Sequence, residues 1–187
     1  MIGLSGNKQS GFYLNNYKEL AELLLKNEEN KQKTLVFGVS YALLDMAESY
    51  PMNLSYTTII ETGGMKGKRK ELIRDELHEI LKSGFRVNQI HSEYGMTELL
   101  SQAYLTSDNI FQSPNWMKVI IREVESPLIL LEEGKVGGIN IIDLANLYSC
   151  SFIATQDLGK KHTDNTFEVL GRFDNSDIRG CNLLVSS

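Results

Sequence analysis

His91-Ser92-Glu93-Tyr94-Gly95-Met96-Thr97-Glu98 gathers a phenol ring, a glycine, a hydroxyl and a carboxylate into one short stretch. The stretch follows the expected strand at Val87 to His91, so it falls at the C-terminal end of a strand, where open α/β sheets bind ligands. There a tyrosine ring can stack on a base, a threonine hydroxyl can bond a phosphate, and a carboxylate can hold Mg2+. A glycine between them lets the backbone come close to the ligand. The same residues also suit a strand-to-helix turn with a capping hydroxyl.

Three further segments carry similar chemistry. Thr62-Gly63-Gly64-Met65-Lys66-Gly67 follows a strand and precedes a helix. Such a turn can lie against a planar ring or cradle phosphate with its N–H groups, or its glycines can simply satisfy positive φ. It has neither the Walker spacing nor the dinucleotide fingerprint. Ala154-Thr155-Gln156-Asp157-Leu158-Gly159 sets a carboxylate at a strand end, where it can accept both hydroxyls of a ribose, or shape an ordinary turn. Gly171-Arg172-Phe173-Asp174 offers a guanidinium for ribose or phosphate, or a solvated terminal loop.

These turns need strands and helices to hold them. Thr34 to Val39 and Thr57 to Glu61 are short β-branched runs, too brief for buried helices. Ala42 to Tyr50 reads as a helix closed by Pro51. The clearest helix runs from about Lys70 to Leu81, with Leu72, Ile73, Leu77, Ile80 and Leu81 at helical spacing and Gly84 placed to end it. Val87 to His91 is the next strand. Met117 to Arg122 alternates, Leu128 to Leu131 is apolar, and Ser151 to Thr155 and Phe167 to Leu170 read as short strands, with no helix between them. The fold class is therefore α/β: a parallel βαβ lobe followed by a β-rich, barrel-like lobe. The expected division is an N-terminal segment and helix at 1–33, an α/β lobe at 34–113 and a β-rich lobe at 114–187, with the boundary at Ser113-Pro114-Asn115. Met1 to Asn16, rich in Gly, Ser and Asn, is expected to be poorly ordered.

Composition narrows the function. The 187 residues are 42% apolar and 23% charged, which suits a globular protein and not a disordered chain or coiled coil. A net charge of -5 removes the electrostatic basis for nucleic-acid binding. No apolar run spans a bilayer and the N-terminus lacks the regions of a signal peptide. Cys150 and Cys181 make no disulfide framework or metal pattern, so the expected compartment is the cytoplasm, with free thiols.

Taken in order, the segments resemble core motifs of the AMP-forming acyl-activating superfamily, which includes acyl-CoA synthetases, firefly luciferase and peptide-synthetase adenylation domains. Tyr94-Gly95-Met96-Thr97-Glu98 resembles its aromatic-Gly-x-Thr-Glu motif, Thr155-Gln156-Asp157 its Thr-Gly-Asp motif, and Gly171-Arg172-Phe173-Asp174 its Gly-Arg-x-Asp hinge. The runs Glu61 to Gly67, Ser92 to Tyr104 and Ser176 to Asn182 are similar, more specifically, to the acyl-protein synthetase family of bacterial bioluminescence. The similarity extends from about Leu35 onward. It implies part of the large domain of an adenylate-forming enzyme, with Tyr94 stacked on adenine and Gly63, Gly64 and Gly95 lining the pocket. Thr97 would bind the AMP phosphate, Glu98 would coordinate Mg2+, Asp157 would hold the ribose, and Arg172 would assist at ribose or phosphate. ATP would activate a fatty or other carboxylic acid, and Cys181 is the position matching the family's acyl-cysteine. An acyl reductase or another acyl-receiving protein is the implied partner.

The sequence departs from the pattern in three places. No Ser/Thr/Gly-rich phosphate loop followed by lysine lies upstream of the adenine motifs, no domain bearing the catalytic lysine follows the hinge, and Gln156 stands where the motif has glycine. The expectation is a fragment, a split subunit completed by an upstream fragment, or a short paralogue. The alternative function is an adenylate-binding or docking module without turnover. A coenzyme A-using relative is a third reading, from the Arg179-Gly180-x-Asn182 shared with phenylacetate–CoA ligases.

Overall fold

The computed structural model describes residues 2–172 apart from residues 66, 71 and 108. The chain forms two compact units, Met1–Ile90 and His91–Ser187.

The first unit contains α1 (Ile2–Ser5), α2 (Tyr17–Glu29), β1 (Thr34–Val39), α3 (Ser40–Ser49), β2 (Thr57–Thr62) and α4 (Arg74–Phe85). β1 and β2 are parallel, with Val36 opposite Ile59, and α3 is their crossover, so the expected βαβ unit is present. Leu24, Leu44, Ile59, Leu81, Phe85 and Ile90 form its core. α4 begins later and ends later than periodicity implied, and Gly84 lies inside it. A Cβ on Gly84 would stand 2.7 Å from Ala47 Cβ, so this glycine serves the close approach of α3 and α4 rather than ending the helix. Arg86 takes the left-handed conformation that follows the last turn, with φ of 50°. The carbonyls of Gly84 and Phe85 accept from the N–H groups of Met52 and Leu54, each at 3.0 Å.

The second unit holds β3 (His91–Tyr94), β4 (Ala103–Ser107), β5 (Ile110–Gln112), β6 (Met117–Arg122), β7 (Val136–Asp143), a 3₁₀ turn (Leu144–Asn146), β8 (Phe152–Lys161) and β9 (Thr166–Arg172). These strands lie in the order β3-β4-β5-β9-β8-β7-β6, every described pairing being antiparallel. Among the described residues no pairing joins β6 back to β3, so the β-rich lobe is an open sheet. Alternation places Met117, Val119 and Ile121 inward from β6, against Ile139, Ile141, Phe111 and Phe167.

The expected strand at Val87 to His91 forms four residues further on, at His91–Tyr94. In the apolar run Leu128 to Leu131, Leu130 bridges Arg122, and Leu128 and Leu130 are exposed. The loop at Ser113-Pro114-Asn115 lies within the second unit. The reason is packing: Leu99, Ala103, Leu105 and Phe111 share one core with β6 and β7.

Candidate active site

Tyr94 closes β3, fixed in register opposite Ala103, while Glu93 beside it accepts a 3.1 Å hydrogen bond from the Tyr104 phenol. The Tyr94 ring packs edge-on to Phe111 and Phe167, with centroids at 6.0 and 5.5 Å. Its hydroxyl donates to Asp157 Oδ2 at 2.7 Å. Burial, then the charge of Asp157 and this bond, push the phenol far above its ordinary pKa, so it stays a donor.

Asp157 lies within β8, not at its end as the sequence implied, and is paired across the ladder with Arg172 of β9. β8 continues past it because a bulge at Leu158/Gly159 lets the ladder resume. Arg172 Nε stands 3.8 Å from Asp157 Oδ1, and its Nη2 donates to Gln156 Oε1 at 3.0 Å. Tyr94, Gly95, Glu98, Asp157 and Arg172 thus line one cleft of about 540 Å³, shared with Met96 and with Ile153 to Gln156 of β8.

Two buried polar groups that carried no local sequence signal anchor the cleft from behind. The first is Arg122, 7% exposed. Its Nη2 donates to Thr155 O at 2.8 Å, and its Nη1 to Ile139 O at 3.0 Å and Asn140 Oδ1 at 2.9 Å. Gly138 makes the room, since a Cβ there would lie 2.6 Å from Nη1. Thr155 in turn donates to Ile139 O at 2.9 Å and accepts from the Asp157 N–H at 3.1 Å, so Arg122 sits under the strand that presents Asp157.

The second is Asp143, which is fully buried. Oδ2 accepts from the N–H groups of Leu100 and Ser101 at 3.0 and 2.9 Å, and Oδ1 accepts from Ser101 Oγ at 2.6 Å and Ala145 N–H at 3.1 Å. Burial opposes its ionisation, but these donors more than offset that and hold the carboxyl below its ordinary range. Asn146 completes the clamp by donating to Glu98 O at 2.6 Å and Cys150 O at 2.9 Å. The loop after Tyr94 is therefore tied at Glu98, Leu100 and Ser101.

Thr97 and Glu98 are exposed on that loop; Glu98 lines the cleft, and Thr97 is not among the residues lining it. Among the described residues no group of three or more His, Cys, Asp or Glu side chains could hold a metal. A single carboxylate such as Glu98 suits Mg2+ bound largely through phosphate oxygens and water, not a metal caged by protein. Gly63 and Gly64 belong to the first unit, where both take left-handed φ, 76° and 68°. Cys181, with the segment after Arg172, lies outside the described residues. Cys150 is an exposed free thiol. No helix among the described residues is long and apolar enough to cross a membrane.

The model of the acyl-protein synthetase family (LuxE) matches residues 18–187. The chain belongs to the acyl-protein synthetase family. Among curated proteins none matches significantly. Solved structures similar to this acyl-protein synthetase chain include ATP-bound MatB from Rhodopseudomonas palustris, 15% identical with a TM-score of 0.60 over 83% of this chain and 33% of that one. They also include the amide bond synthetase McbA from Marinactinospora thermotolerans, 17% identical with a TM-score of 0.57 over 83% and 34%. O-succinylbenzoate coenzyme A synthetase (MenE) from Bacillus subtilis, in complex with ATP and magnesium ion, is 18% identical with a TM-score of 0.54 over 86% and 36%. At these identities the likeness establishes a shared fold and nothing more. The acyl-protein synthetase chain spans about a third of the length of these solved chains.

Proposed function

We propose that this chain supplies the adenylate-binding part of an ATP-dependent, AMP-forming ligase that activates a carboxylic acid and passes the acyl group to a cysteine thiol. The observation that carries the reading is the meeting of Tyr94, Asp157 and Arg172 at one cleft, from three separate strands. Asp157 would accept the ribose hydroxyls, with Arg172 beside it at ribose or phosphate. Tyr94 would offer its ring to adenine, with Gly95 leaving space next to it. Thr97 would bond the AMP phosphate. Mg2+, held at Glu98, would neutralise phosphate charge as pyrophosphate leaves.

The chemistry balances in two steps. A carboxylate oxygen of the acid attacks the α-phosphorus of ATP, making the acyl-adenylate and expelling pyrophosphate. The Cys181 thiolate, its proton gone to solvent or a base, attacks the acyl carbon to form a thioester and release AMP. The acid is of the fatty class by family resemblance, and an acyl-receiving protein would take the group from the thioester. The cytoplasm is the compartment consistent with ATP and a reduced thiol.

Calorimetry of the chain with AMP and a nonhydrolysable acyl-AMP mimic tests the site, and ATP-dependent labelling with a radioactive long-chain fatty acid tests the reaction. Tight binding with label lost in Cys181→Ser supports the proposal. Tight binding with no label, even with an upstream synthetase fragment added, would make the chain a binding module. No binding would overturn the reading.

A further inference from the structure

Asp143 and Asn146, which bracket the 3₁₀ turn after β7, have opposite hydrogen-bonding sense, and both reach the backbone of the loop after Tyr94. Asp143 accepts from the loop's N–H groups at Leu100 and Ser101. Asn146, only 4% exposed, donates from Nδ2 to Glu98 O at 2.6 Å. Its second N–H goes to Cys150 O at 2.9 Å, so the amide cannot swing away without leaving a carbonyl unmatched. The loop adds a constraint of its own: Leu99 N–H bonds Met96 O at 3.1 Å, and the Leu99 side chain is buried. The backbone on both sides of Glu98 is thus pinned, while the Glu98 side chain is exposed and lines the cleft.

We infer that Asn146 is a positioning residue for Glu98, aiming its carboxylate at the nucleotide's Mg2+ by holding the Glu98 carbonyl. The inference rests on the reading that Glu98 takes Mg2+ together with phosphate oxygens. A lone carboxylate on an exposed loop is a weak metal ligand, because binding must order both its backbone and its side chain. Asn146 removes the backbone share of that cost in advance. With Glu98 O held, only the side-chain torsions of Glu98 remain to be set. Asp143 cannot substitute, since its bonds to the loop begin two residues further on, at Leu100. Asn146 is not among the residues lining the cleft, so it acts through Glu98 and need not touch nucleotide.

The test measures binding of a nonhydrolysable ATP analogue, with methylene between the α- and β-phosphates, by calorimetry in Mg2+ and again in EDTA. The full chain is compared with Asn146→Ala, Glu98→Gln and the double variant. In Asn146→Ala the strengthening that Mg2+ brings is expected to shrink about threefold to tenfold, while affinity in EDTA stays at the parent value. In the Glu98→Gln background the same substitution is expected to change nothing further, since the group it positions has lost its charge. A further loss there would overturn the inference. Equal losses with and without Mg2+ would make Asn146 a general support of the cleft and overturn it too. So would a parental Mg2+ dependence in Asn146→Ala while Glu98→Gln loses it, a result that leaves the metal reading standing. If Glu98→Gln keeps the parent's Mg2+ dependence, or the parent binds no analogue, the reading of Glu98 falls and the inference with it. Should Asn146→Ala not fold, Asn146→Ser, which keeps one donor, is judged by the same comparison.

Discussion

Tyr94 donates its phenol hydrogen to Asp157 Oδ2 over 2.7 Å, joining residues 63 positions apart in the chain. The bond fixes a carboxylate that also faces Arg172, so the aromatic motif and the acidic motif form one unit.

Removing the hydroxyl alone isolates that link. Tyr94→Phe keeps the ring against Phe111 and Phe167, so the cost in stability is that of one hydrogen bond, about 1 kcal/mol. Asp157 then loses an orienting donor, and AMP affinity is expected to fall about threefold to tenfold by calorimetry. Tyr94→Ala also empties the aromatic cluster and should cost roughly 3 kcal/mol or more in a urea titration. Equal stability for the two variants would mean that the ring carries no packing.

Arg122 gives a second prediction. Arg122→Met fills similar volume but removes three hydrogen bonds from the guanidinium, leaving buried carbonyls of Ile139 and Thr155 without that donor. The expected loss is on the order of 2–4 kcal/mol, read as a lower urea midpoint. Arg122→Lys restores charge without the planar fork and should recover only part of it.

What the sequence made legible follows from how far its signals reach. Runs such as Thr34–Val39 and Met117–Arg122 announced strands, because alternation and β-branching are local properties. Tyr94, Glu98, Asp157 and Arg172 were legible as a set through motif order, and the structure brings them to one cleft. Arg122 and Asp143 were not. Each sits at the end of an ordinary strand, and its partners lie 33 and 42 residues away, at Thr155 and Ser101. No short window can contain such a pairing. The shift of α4 has the same origin: Gly84 looks like a helix end until Ala47 is packed against it.

Asp143 makes acid sensitivity predictable. Its folded-state carboxyl is held below the ordinary value, so it contributes stability above the ordinary carboxylate range and loses it as pH falls through its folded value. Urea midpoints of the parent chain should therefore drop on acidification below about pH 4. Asp143→Asn removes this titration and turns an amide toward donors already aimed at an acceptor. It should cost about 2–3 kcal/mol at neutral pH and flatten the remaining pH dependence. An unchanged acid slope in this variant would assign the sensitivity to other carboxylates.

Gln156 stands where the resembled motif has glycine, and its Oε1 accepts a 3.0 Å hydrogen bond from Arg172 Nη2. This contact is solvent-exposed, so Gln156→Ala should change stability by less than about 0.5 kcal/mol. Its effect on ligand is of a different kind. While bound to Gln156, one face of the Arg172 guanidinium is committed to the protein, and a nucleotide must compete for it or take the remaining donors. Freeing Arg172 should therefore strengthen AMP binding about twofold to fivefold, with the gain abolished in the Gln156→Ala, Arg172→Ala double variant. If Gln156→Ala instead weakens AMP, Gln156 is itself a ligand-holding group and the departure from glycine marks a contact of this chain's own.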